Sequence, residues 1–170
     1  MGLLVKSFTE RPLQLLVVYA TNICLQHKIL QLERYLPYRL SILSNRISAN
    51  IATTYSDKFG LSVTEWRIMA VIGEYSGISA DEVSAKTQIE KSMLSRAISK
   101  LLQRKLLSRD FDPADKRRSM LKLTVTGWSV YEEVVPISYA YEKDLLTCFS
   151  ETEKQHFSIL IDKLYEQADK

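Results

Sequence analysis

Glycine and proline are scarce in this chain, five and four among 170 residues, and it holds only two cysteines and two histidines. Few chain-breakers and long helical patterns favour a mainly α architecture. Cys24 and Cys148 are far apart, with no CxxC pair and no histidine at ligand spacing. That excludes a disulfide framework and a zinc site, and it fits a reducing cytoplasm. The phosphate-cradling glycine loop, the GxSxG elbow and the HExxH helix are all missing. His27 and His156 stand at opposite ends of the chain, and the carboxylates fall mostly at helix starts and on solvated faces. The chain therefore reads as no enzyme, with no catalytic residue, metal or cofactor. Its one apolar run near the start, Leu15 to Ala20, is too short to span a bilayer, so no membrane partner is expected. Charged residues at 25% and hydrophobic ones at 46% are ordinary for a soluble globular protein, and 170 residues suffice for one buried core.

What the chain does have is concentrated between Ser79 and Gly127. Two short helical patterns there precede two strand patterns that flank a charged loop. In the second helical pattern, about Lys91 to Arg104, Leu94, Ala97, Ile98, Leu101 and Leu102 share one face at the 3.6-residue period. Ser92, Ser95, Arg96, Ser99, Gln103 and, toward the edge, Lys100 occupy the other. A solvated helix face usually mixes Glu with Lys, yet no carboxylate lies between Lys91 and Arg109. Hydroxyls and cations of this kind donate to phosphates and to base edges in a major groove. From Lys86 to Lys122 there are eleven Lys and Arg against four Asp and Glu, a local charge of +7 in a chain of +3. Such clustering is the electrostatic footprint of a polyanion binder.

The run from Leu61 to Gly127 resembles the MarR family of winged helix-turn-helix transcription regulators. The resemblance lies in Trp66-Arg67, Glu82-Val83, Ser92-Met93-Leu94-Ser95-Arg96, Asp112-Pro113-Ala114-Asp115-Lys116-Arg117-Arg118 and Leu123-Thr124-Val125-Thr126-Gly127, in order and at the family's spacing. It implies a mainly α fold with a small β-hairpin wing: a winged helix-turn-helix lobe at 61–124 and dimerisation helices at 29–60 and 125–170, with 1–28 an N-terminal extension. In the usual docking the start of the recognition helix enters the major groove. That nominates Lys91, Ser92, Ser95, Arg96, Ser99 and Lys100 for groove or phosphate contacts. A second reading of Arg96 ties it to a carboxylate of its own lobe. The wing would bring Asp115, Lys116, Arg117 and Arg118 to DNA, Asp115 orienting an Arg117 that enters the minor groove, as the resemblance implies. One departure stands out: where the family usually has glycine after the recognition helix, this chain has Lys105.

Along the chain, Leu36, Leu40, Leu43, Ile47, Ile51 and Tyr55 form an apolar stripe in a helical pattern running from Gln31 to about Lys58. Pro37 marks a kink or a helix start just before it. Further apolar residues off the stripe suggest a helix shared with a second subunit. Ser62-Val63-Thr64-Glu65, Ser79-Ala80-Asp81-Glu82 and Ser150-Glu151-Thr152-Glu153 read as capping boxes, Glu90 as the N-cap of the recognition helix and Thr124 as that of a long helix that Pro136 bends. Phe157, Leu160, Ile161 and Leu164 line one face of the last helix. Residues 1–28 fit either an added helix on the dimer or a poorly ordered extension. The expected partners are a second copy of the chain and pseudo-palindromic double-stranded DNA. For the signal there are three readings. A small aromatic carboxylate could bind among Tyr35, Tyr38, Arg39, Ser44, Arg46 and Trp66, residues that offer aromatic walls and cations. Cys24 could sense oxidants, with Cys148 buried and inert, or the protein could bind DNA without an effector. Repression of a nearby operon is the expected mode.

Overall fold

The computed structural model describes residues 28–111, 119–168 and 170. Two compact units divide between Ser44 and Asn45. In the first, Gln31 O accepts from the amides of Arg34 and Tyr35, both at 3.0 Å, so the helical stretch expected from Gln31 opens as a turn. The helix α1 itself is Leu36–Phe59. Pro37 decides where it starts: a proline lacks an N–H, which the first turn does not need, and its fixed φ suits that turn. No kink has to be invoked.

The second unit holds the core. It follows the end of α1 with α2 (Val63–Glu74), α3 (Ala80–Thr87), α4 (Lys91–Gln103), β1 (Leu107–Phe111), β2 (Ser119–Leu123), α5 (Val125–Leu145), a 3-10 turn and α6 (Glu151–Ala168). Tyr55, Leu61, Ile68, Met69, Ile72, Val83, Leu94, Ile98, Leu101, Leu121 and Val134 form one buried cluster. α2 is its hub, packing against α3, α4, β2 and α5. The expected caps are in place. Ser62, Ser79 and Ser150 each accept from the amide three residues on, while Glu65, Glu82 and Glu153 reach back to the serine amide. Those donors hold the Glu82 and Glu153 carboxyls below the usual range.

Gly127 shows why the Leu-Thr-x-x-Gly sequence matters. Thr124 Oγ1 accepts from the Gly127 amide at 3.0 Å, capping α5, and donates to Lys105 O at 2.6 Å. That pulls the wing's first strand onto α5 so closely that a Cβ on Gly127 would lie 2.0 Å from Leu106 O. Beyond it α5 runs through Pro136 to Leu145 without stopping. No residue of α6 is buried. Cys148, expected to be buried, is exposed, because the 3-10 turn that carries it has no buried residue. No helix among the described residues is long and apolar enough to cross a membrane.

Candidate nucleic-acid interface

α3 and α4 form a helix-turn-helix joined by Gln88-Ile89-Glu90. Gln88 takes the left-handed backbone, φ 54°, which turns the chain sharply. Ser84 Oγ fastens the turn by donating to Ile89 O at 3.1 Å. Glu90 is the N-cap of α4: its carboxylate accepts from the amides of Ser92 at 3.0 Å and Met93 at 3.1 Å, and from the Ser92 hydroxyl. The Ser92 hydroxyl foremost, then the two amides, holds the Glu90 carboxyl below its usual range. Two of the orphan donors of this helix start are thereby satisfied from within the chain.

The far end of α4 closes as a Schellman motif. The Lys105 amide bonds Leu102 O at 3.0 Å and the Leu106 amide bonds Leu101 O at 2.9 Å. This motif needs a left-handed residue at its centre, and Lys105 supplies it at φ 58°. The departure from glycine thus costs strain, about 1 kcal/mol, and leaves the geometry intact.

Between its two ends α4 divides as its sequence pattern implies. Leu94, Ala97, Ile98 and Leu101 are buried, and Lys91, Ser92, Ser95, Arg96, Ser99 and Lys100 are all exposed. Arg96 Nε donates to Ser92 O at 3.2 Å and Ser99 Oγ to Ser95 O at 2.8 Å, so both side chains lie along the outer face. Among the described residues no carboxylate pairs with Arg96. Lys91 stands 3.9 Å from Asp81, both fully solvated, which is worth little. Met93 was not foreseen at this surface: it is half exposed, and its position off the buried stripe was the available signal.

β1 and β2 pair antiparallel with Leu107 opposite Leu123 and Phe111 opposite Ser119. Leu121 also bridges to Ile78, accepting from the Gly77 amide and donating to Ile78 O, which fixes the wing to the start of α3. Arg109 and Phe111 are exposed on β1, and Lys122 pairs with Asp110 at 2.9 Å. Asp115, Lys116, Arg117 and Arg118 lie outside the described residues, as do Cys24 and the rest of 1–27.

Of the residues considered for an effector, Tyr35, Tyr38, Arg39 and Ser44 are exposed in the first unit, and Arg46 is exposed in the second. Trp66 is half-buried between Tyr55 and Tyr131, ring centroids 5.8 Å away on each side. Beside it Arg67 donates to Ser48 Oγ at 2.7 Å. Burial pushes the Tyr55 phenol up, and the Arg67 charge offsets part of that. A separate open cleft of about 550 Å³ is lined by Ser56, Leu61, Ser62, Glu65, Lys100 and Arg104, among others, and by none of the residues considered for the effector.

A helix-turn-helix whose second helix has a basic outer face with no carboxylate of its own, followed by a two-stranded wing, defines a winged helix-turn-helix DNA-binding protein. The MarR family profile matches residues 59–118. The regulator BilQ of Clostridium symbiosum is 28% identical over 107 residues, 63% of this chain and 74% of its own. PecS of Dickeya dadantii is 29% identical over 129 residues, 74% of this chain and 75% of its own. The crystal structure of a MarR/EmrR family transcriptional regulator from Acinetobacter sp. ADP1 superposes with a TM-score of 0.75 at 31% identity, covering 82% of this chain and 99% of that one. The chain belongs to the MarR family of transcriptional regulators.

Proposed function

We propose that this DNA-binding regulator acts as a homodimer on a pseudo-palindromic operator in the cytoplasm, represses a nearby operon, and catalyses no reaction. The observation that carries the DNA contact is the exposed face of α4, where Lys91, Ser92, Ser95, Arg96, Ser99 and Lys100 lie on a helix that has no carboxylate of its own while the opposite face is buried in the core. Two such helices about 34 Å apart would meet successive major grooves. The wing residues Asp115, Lys116, Arg117 and Arg118 would add minor-groove and phosphate contacts. Arg96→Ala should weaken specific binding by about tenfold or more, the range for loss of a base-reading arginine. Arg117→Ala should weaken it too. Unchanged affinity in both variants would remove this interface.

Ligand-responsive regulation is typical of the family. We assign the signal to a small aromatic carboxylate. Aromatic rings and a cation occur together where Trp66 packs against Tyr55 and Tyr131 beside Arg67, and Arg46 is exposed on α1. An effector releases DNA only by binding better to the form that cannot grip it. Adding benzoate-type acids, and separately peroxide, to the preformed DNA complex tests this. Release by the acids supports the assignment, and release by peroxide alone would favour a cysteine sensor.

A further inference from the structure

The C-terminal end of α4 is tied to the end of α1 by one side chain. Arg104, the residue that caps α4, donates from Nη1 to Gly60 O at 3.0 Å and from Nη2 to Phe59 O. Phe59 is the last residue of α1 and Gly60 follows it, so both carbonyls lie at a helix end, where the final carbonyls have no partner within the helix. Gly60, at φ +60°, reverses the chain there, and a Cβ on it would sit 3.8 Å from Nη2, so the glycine serves the turn rather than the room for the guanidinium.

We infer that Arg104 is a positioning residue for DNA recognition. It sets the pitch of α4 without itself touching DNA, a role that rests on α4 being the recognition helix. The buried face of α4 is Leu94, Ala97, Ile98 and Leu101, and apolar packing of that kind is non-directional. It holds the helix against the core and resists rocking about its long contact only weakly. A planar guanidinium with two fixed N–H directions does resist it, because any tilt of α4 breaks the alignment with both carbonyls. The two ends of the helix are thus held differently. Glu90 secures the start through bonds within α4 itself, whereas Arg104 secures the end to another element. Arg104 is exposed and borders the open cleft, so shortening its side chain empties no packed core.

The test compares wild type, Arg104→Met and Arg104→Lys on the DNA that the wild type selects, across a salt series. A phosphate-binding arginine would lower the slope of log affinity on log salt by about one when removed. A positioning arginine leaves the slope unchanged. We expect Arg104→Met to lose about tenfold in affinity at constant slope. Arg104→Lys should recover part of that, since an ammonium still donates to a carbonyl. Hydrogen exchange on the DNA-free proteins should show faster exchange in the last turn of α4 in Arg104→Met. Unchanged affinity, a slope lowered by one, or unaltered exchange would each overturn the inference. Should Arg104→Met not fold, Arg104→Gln, which keeps one donor group, takes its place in the same series. Absence of selective binding by the wild type would instead count against the DNA-binding reading itself, a result separable from any difference among the variants.

Discussion

At the residue scale, two backbone positions carry opposite predictions. A Cβ on Gly127 meets Leu106 O at 2.0 Å, with that carbonyl also bonded to the Thr124 amide at 3.1 Å. Neither atom belongs to a flexible side-chain end, so Gly127→Ala should cost about 3 kcal/mol or more in a thermal or denaturant melt. Lys105 is the reverse. It sits left-handed at φ 58° at the centre of a Schellman motif, and Lys105→Gly should raise stability by up to about 1 kcal/mol. A melt in which Lys105→Gly is less stable would refute the strain argument. Both positions were visible in the sequence, one as the glycine after Leu-Thr and one as a lysine where glycine was expected. The close approach of Leu106 O was not visible, because it depends on how the wing's first strand lies on α5.

At the scale of elements, α4 was legible almost to the residue. Its stripe of Leu94, Ala97, Ile98 and Leu101 follows the helical period, and Glu90 precedes it as a cap. The first turn of α1 was less so. The helical pattern in the sequence begins at Gln31, but Gln31 to Arg34 form a turn, since an apolar pattern reports which face is buried and Pro37 reports where the backbone can begin a helix. Arg104 went unnoticed for a third reason: its partners, Phe59 and Gly60, are distant in sequence and offer only backbone carbonyls. The cap on α4 also makes a pH prediction. Glu90 is held below its usual pKa by the Ser92 hydroxyl and then by the Ser92 and Met93 amides. A depressed folded pKa contributes stability that is present above the unfolded value and is lost as pH falls through the folded one. Melting temperatures of wild type and Glu90→Gln should therefore differ most near neutral pH and converge in acid below the ordinary carboxylate range. A difference independent of pH would show that the charge of Glu90 is irrelevant to the cap.

At the scale of the whole molecule, α6 is an 18-residue helix with no buried residue, and Phe157, Leu160 and Leu164 stay exposed at helical spacing along one face. Apolar surface of that extent gains from burial, at about 25 cal/mol per Å². A second copy of the chain is the cover we propose. Leu160→Asp should then raise the dimer dissociation constant by about tenfold or more in sedimentation equilibrium, and operator binding should fail with it. A wild-type protein that sediments as a monomer would contradict this. In the sequence a second copy was implied by the family resemblance and by a surplus of apolar positions, which marks surface that gains from burial without saying what covers it. The central claim, that α4 reads a specific DNA sequence, is tested most directly by fluorescence anisotropy. The purified protein would be titrated on the DNA upstream of its own gene and on scrambled DNA of equal length, at several salt concentrations. The account predicts tight binding to the first, far weaker binding to the second, and an affinity that falls steeply with salt. Equal affinity for both sequences, or no binding to either by folded protein at low salt, would contradict it.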